Sequence, residues 1–413
     1  MFWETVNTLK KASLLLLFNS LLIIITSCDN SSDPAILDET SRGTIVETQF
    51  LANYTLEYIT AIASFAGDGF QTAPMYGMNV YRLVYYTVDP DENIVTASGA
   101  IVIPETQEPL PILSIQHGTI SKRTQVASFD PSYSLEGLLA ASMGYYVVVA
   151  DYLGLGVSEI MHPYLHAKSS ATCVVDILRA AKAYAMETGI EMNTQIFLAG
   201  YSEGGYVTLA TQREIENYHS AEFNLTAVSA MAGPYDLELT ASHIISREEY
   251  PMPGFIAFLL TSYNDVYGWN RINDFFQEPY LTTIPTLLDG TKNMGEINIA
   301  LTTDMSALLK PEFINSVGDG TERQLLSALA ENSLLNFTPV SPLLLIHGNA
   351  DTYVPYENST KALNSFRNNG AGSVELITIE GGTHTTSVIP AILASLEWLN
   401  NFTDSNNFAT RSF

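Results

Sequence analysis

Residues 196–206 read IFLAGYSEGGY, an apolar run that ends on a serine with a glycine two positions to either side. The run Ile196–Ala199 has the character of a buried strand, and the residues from Gly204 to Tyr218 can continue as a helix, so Ser202 falls at a strand-to-helix corner. Such a corner holds a residue in a sparsely populated backbone conformation, and a side chain at Gly200 or Gly204 would crowd it. The following helix directs free backbone N–H groups and the positive end of its dipole toward any oxyanion formed beside the hydroxyl. This is the G-x-S-x-G pattern of a nucleophile elbow.

A serine hydroxyl is a weak nucleophile at neutral pH and needs a base, and the base needs an acid to orient it. His384, in IEGGTHTTSV, is the best base, because Gly381 and Gly382 end a strand-like run and a helix-like segment follows. Asp351, in HGNADTYVPY, lies immediately beyond the apolar run PLLLI and before a helix expected near Pro355. Asp151 and Asp236 are rival acids, and His117 is a rival base. Glu203, at the start of the helix after Ser202, is accounted for by its favourable interaction with the helix dipole.

These residues need a scaffold that delivers them to one place. PILSIQHG, YYVVVAD, QIFLAG, LTAVSAMAG and PLLLIHG are short continuous apolar runs, the pattern of strands buried on both faces of a parallel sheet. Helix-like segments at 170–188 and 204–219 separate several of them. The alternation predicts a doubly wound, mostly parallel α/β sheet whose strand ends collect the site. Before it, NVYRLVYYTVDPDENIVTASGAIVIP reads as an antiparallel hairpin turning at Asp89-Pro90-Asp91. Between MAGPYDL and SPLLLIHG the alternation stops for about a hundred residues, far longer than an ordinary connection. That stretch is rich in aromatic residues and reads as a mostly helical cap, with Phe255, Phe258 and Trp269 expected to cover an apolar acyl pocket.

The motifs QHGT, DYLGLGVS, GYSEGG, HGNADTYVP and GGTH, together with the order Ser202, Asp351, His384, resemble those of serine hydrolases of the α/β-hydrolase superfamily, in the manner of secreted lipases and esterases. The resemblance implies an α/β-hydrolase fold and a Ser-His-Asp triad. In it Ser202 attacks a carbonyl, His384 takes the proton, and Asp351 holds the imidazole. It further implies backbone oxyanion donors at Glu203 and in the Gly118-Thr119 turn, with His117 shaping that turn. The function it implies is carboxylesterase or lipase chemistry without cofactor or metal, on small-molecule or polysaccharide esters. A serine peptidase on the same fold, or a ligand-binding lipoprotein that has lost catalysis, are the alternatives; fewer than eighty residues precede the first strand-like stretch at Asn79, which weighs against peptidases carrying an N-terminal propeller.

The N-terminus places Lys10 and Lys11 before an apolar run from Ala12 to Ile25, too short for a comfortable membrane span and readable as an export signal. Ile25-Thr26-Ser27-Cys28 resembles a bacterial lipobox, which implies lipid attachment at Cys28 and a membrane tether facing the periplasm or the cell exterior. The chain then divides into a signal peptide at 1–27, a tether at 28–44, a first part of the core at 45–239, the cap at 240–338, a second part of the core at 339–402 and a tail at 403–413. A formal charge of −26 repels nucleic acid and gives no attraction to anionic lipid. With Cys28 lipidated, Cys173 has no partner for a disulfide, and its helical surroundings predict a small core residue. His162 and His166 are four apart, but Pro163 between them disfavours a metal-binding helix.

Overall fold

The computed structural model describes residues 38–65 and 75–403, and Cys28 with the expected signal peptide lies outside them. Nine strands form one sheet: β1 (Ile45–Tyr54), β2 (Met78–Val88), β3 (Ile94–Pro104), β4 (Leu110–Gln116), β5 (Tyr146–Ala150), β6 (Met192–Tyr201), β7 (Leu225–Met231), β8 (Leu343–Gly348) and β9 (Val374–Ile379). Their order is β1-β2-β3-β5-β4-β6-β7-β8-β9. The pairs β1·β2, β2·β3 and β3·β5 are antiparallel, and β5, β4, β6, β7, β8 and β9 run parallel. The expected hairpin is β2–β3, where the Asp89 carboxylate accepts from the Asp91 and Asn93 amides at 2.9 Å each. β1 pairs along the edge of β2, and its mostly exposed side chains explain why no apolar run announces it.

β4, β5, β7 and β8 are almost wholly buried, as continuous apolar runs require when both sheet faces are covered. One face packs against the Ala167–Thr188 and Glu203–Glu214 helices. The other packs against the Leu135–Ser142 and Val388–Asn400 helices. The chain leaves β4 over one face to reach β5 and leaves β6 over the opposite face to reach β7. The strand order therefore diverges between β4 and β6, and a crevice opens there at the C-terminal ends of the strands. Gly118 follows β4 and Ser202 follows β6 at that crevice.

Between β7 and β8 every element is helical, from Leu237–Ile245 through Pro253–Val266 to Arg323–Asn332. Cys173 is fully buried in the Ala167–Thr188 helix, and burial pushes its thiol up to about 12. One turn further along this helix, the buried carboxylate of Asp176 accepts from Arg179 Nη1 at 2.7 Å, Thr87 Oγ1 at 2.8 Å and Arg42 Nε at 3.1 Å. It thereby ties the segment before β1 and the strand β2 to a core helix. Replacing Asp176 by alanine removes a carboxylate that serves three donors at once, and breaking such a buried pair costs about 3 kcal/mol. Chemical denaturation of Asp176→Ala is expected to show that loss with an unchanged denaturant slope.

Candidate active site

Ser202 has φ 63° and ψ −124°, a conformation that a non-glycine residue adopts only when its surroundings enforce it. The enforcement is visible in the backbone. The Ser202 amide donates to the Met231 carbonyl at 2.8 Å. A Cβ on Gly200 or Gly204 would collide with the backbone of the other glycine or of Gln116. The helix Glu203–Glu214 thus starts pressed against the ends of β4 and β7, with the Ser202 hydroxyl projecting over the crevice.

His384 Nε2 lies 2.8 Å from Ser202 Oγ, and His384 Nδ1 lies 2.6 Å from Asp351 Oδ2. Residues 202, 351 and 384 therefore form one hydrogen-bonded row, although 182 residues separate the serine from the histidine. The imidazole is fixed from two further directions: Tyr201 Oη donates to the His384 carbonyl at 2.7 Å, and the rings of Tyr201 and Tyr353 each stand 5.3 Å from it. Asp351 Oδ1 accepts from the Tyr353 and Val354 amides at 2.8 and 3.0 Å.

Asp351 also has a second histidine. His347 Nε2 lies 3.2 Å from Asp351 Oδ2 and 3.1 Å from the Val354 carbonyl, while its Nδ1 meets Ser359 Oγ at 2.8 Å. Both Nε2 neighbours are acceptors, so Nε2 donates. Burial would raise the Asp351 carboxyl, but hydrogen bonds from His347 and His384 outweigh it and hold the group well below the ordinary carboxylate range. His347 was not singled out in the sequence; the available signal was its place as the last side chain of an apolar run, four residues before the acid.

The rival residues have other employment. Asp151 is fully buried and its Oδ2 accepts from the Ser98 and Ser128 hydroxyls; burial raises its carboxyl despite those bonds. Asp236 caps the Leu237–Ile245 helix through the Leu239 amide and pairs with Lys361 Nζ at 2.6 Å. His117 Nε2 reaches the Asp151 carbonyl at 3.1 Å and its Nδ1 the Gly118 carbonyl at 2.8 Å, so its ring braces the loop after β4.

That loop lies against the serine: a Cβ on Gly118 would come 3.7 Å from the Ser202 Cβ. Thr119 Oγ1 is anchored by Tyr164 Oη at 3.1 Å. Among the described residues, the backbone amides of Thr119 and Glu203 donate to no protein acceptor, so both are available to an oxyanion.

The Glu203 side chain departs from the dipole account. It is buried, with Oε1 2.9 Å from His162 Nε2 and Oε2 without a partner, and His162 Nδ1 lies 2.7 Å from the Leu153 carbonyl. His162 is a buried partner to the residue after Ser202. The cap aromatics also divide. Phe255 reaches the cavity in front of Ser202, whereas Phe258 stacks on Tyr164 at 4.9 Å and Trp269 stacks on Tyr267 at 5.4 Å, away from it. Of the three, only Phe255 can touch a ligand at Ser202.

Two outcomes follow from this geometry. His162→Ala leaves the Glu203 carboxyl buried without its partner, and such a deletion costs about 1–3 kcal/mol, readable as a fall in thermal midpoint. The depressed Asp351 carboxyl contributes stability that is complete above the ordinary aspartate value of 3.8 and disappears as pH falls through its lower folded value. Asp351→Asn is therefore expected to flatten the acid limb of the stability profile.

The secretory lipase family model matches residues 130–409, more than half of the chain. Lipase 6 of Candida albicans is 22% identical over 363 residues, covering 79% of this chain and 73% of that one. A secreted triacylglycerol lipase of Malassezia globosa is 23% identical over 282 residues, and the alignment spans 66% of this chain and 59% of the relative. The crystal structure of the rice cell wall degrading esterase LipA from Xanthomonas oryzae superposes with a TM-score of 0.81 at 27% identity, covering 88% of this chain and all of that one. The mostly parallel sheet, its helical layers and these matches place the chain in the secretory lipase family, as a serine ester hydrolase of α/β-hydrolase fold.

Proposed function

We propose that the protein hydrolyses carboxylic esters through an acyl-Ser202 intermediate. Ser202 attacks the ester carbonyl as His384 takes its proton, and the ionised Asp351 holds the imidazole tautomer and offsets the charge on the imidazolium. The tetrahedral oxyanion is met by the backbone N–H groups of Glu203 and of the Gly118-Thr119 turn. His384 then returns the proton to the departing alcohol. A water activated by the same imidazole releases the acid and restores the hydroxyl. The observation that carries this reading is the unbroken row Asp351 Oδ2, His384 Nδ1, His384 Nε2, Ser202 Oγ, with spacings of 2.6 and 2.8 Å.

Substrates are esters with an apolar part, because the cavity at Ser202 is walled chiefly by aliphatic and aromatic side chains such as Met252, Phe255, Val388 and Leu396. A glyceride, as for the Malassezia relative, and an ester borne on plant cell-wall material, as for the Xanthomonas neighbour, both present such a group. Helices at 240–338 act as a cap over this cavity, contributing Met252, Phe255 and Met294 to its wall. Membership of a secretory family supports export, and the lipobox-like sequence ending at Cys28 supports retention on a membrane by lipid. No helix among the described residues is long and apolar enough to cross a membrane.

The reading is tested by labelling with a fluorophosphonate probe and by turnover of p-nitrophenyl esters. Wild-type protein is expected to be labelled, Ser202→Ala to lose the label, and its ester turnover to fall by about a millionfold, as for other serine hydrolases stripped of the nucleophile. Retained turnover in Ser202→Ala overturns the mechanism. In an expressing bacterium, Cys28→Ala is expected to move the protein from the detergent-extracted membrane fraction to the soluble one; an unchanged distribution removes the lipid anchor from the proposal.

A further inference from the structure

The cavity in front of Ser202 continues past the catalytic edge and down one face of the sheet. On that face the Leu135–Ser142 helix packs over β3 and β5, whereas the Val388–Asn400 helix packs over β6, β7 and β8. Strand β4 lies beneath the gap between them. The cavity is lined there by Glu136 of the Leu135–Ser142 helix, whose carboxyl is raised by burial, by Ile115 of β4 and Ala199 of β6, and by Val388, Ile392 and Leu396 of the C-terminal helix. The last three recur every four residues, so they form one stripe along the helix. The stripe starts four residues after His384 and, at 1.5 Å per residue, runs about 12 Å away from the row. Val388 and Ile392 are only half-buried although they flank the core, as expected of residues facing an open groove.

Volume decides which way a long substituent goes. The whole cavity holds ≈ 380 Å³, which at about 30 Å³ per water-sized group accommodates roughly a dozen methylenes. A second cavity at Ser202, running under the cap between Leu237, Ile244 and Leu259, holds only ≈ 30 Å³, room for about one such group.

We propose that the groove between the Leu135–Ser142 and Val388–Asn400 helices binds the long aliphatic chain of the ester, with Ile392 and Leu396 determining the chain length accepted. This inference rests on the assignment of Ser202 as nucleophile. The chain is either the acyl group or the alkyl group of the alcohol, and the cap contributes only the mouth of the site.

The test uses the purified protein and two ester series: p-nitrophenyl esters from acetyl to dodecanoyl, and acetate esters of alcohols from ethanol to dodecanol. Ile392→Trp fills the groove. Each methylene expelled from apolar contact costs about fourfold in kcat/KM, so the octanoyl-to-dodecanoyl members of one series are expected to lose more than about tenfold while the shortest stay within about twofold. The series that responds identifies which part of the ester occupies the groove. Ile389→Trp, on the exposed face of the same helix, is expected to leave both profiles unchanged. Leu396→Ala deepens the groove and is expected to shift the optimum to longer chains. Unchanged length profiles for Ile392→Trp and Leu396→Ala with turnover intact overturn the groove assignment, as does an equal loss at every length in Ile392→Trp with fluorophosphonate labelling retained. Neither outcome touches the nucleophile, which is judged separately by Ser202→Ala.

Discussion

The site depends on a collision of backbones. At the corner after β6, the chain must turn from strand to helix in the space left by the Gln116 carbonyl on one side and Met231 on the other. Only glycine fits at 200 and 204, and Ser202, midway between them, is forced to a positive φ. This crowding presents the hydroxyl and leaves the next amide without an acceptor. A corner with more room would let Ser202 relax toward ordinary helical angles and carry its hydroxyl away from His384. The strain is sustained by core packing on both sheet faces, where the buried runs of β4, β6 and β7 fix the positions of the colliding carbonyls.

The parts of this architecture visible in sequence were those with a local physical signature. Continuous apolar runs gave the parallel strands, the Asp89 turn gave the hairpin, and the two glycines gave the elbow. The convergence of Ser202, Asp351 and His384 was legible because each follows a strand of the parallel sheet, buried in β6 and β8 and at the edge in β9, and such strands deliver their ends to one edge. The parts that were not legible depend on pairing at a distance. β1 has exposed side chains and announces itself only through its ladder to β2. His347 and His162 gain their meaning from partners folded onto them, and a lone histidine in a sequence carries no mark of a carboxylate 3 Å away. The same limit explains the aromatic residues of the helical segment: composition promised a lining for the pocket, but Phe258 and Trp269 spend their surface on Tyr164 and Tyr267.

Charge is distributed unevenly between the rivals. Asp151, Asp236 and Asp351 all follow strands, yet two serine hydroxyls occupy the first, a lysine and a helix amide the second, and imidazoles the third. An imidazole is the only one of these partners that can both hold a carboxylate and shuttle a proton near neutral pH. Position along the chain offers three acids, and among them only the Asp351 carboxylate meets imidazoles.

The loop that carries the acid also reaches the cavity. Tyr353 donates its amide to Asp351 Oδ1, holds its ring 5.3 Å from His384 and lines the space in front of Ser202. Its carbonyl in turn accepts from Tyr250, on the segment beyond β7. The wall of the chamber and the hydrogen bonds that orient the Asp351 carboxylate therefore depend on one and the same residue.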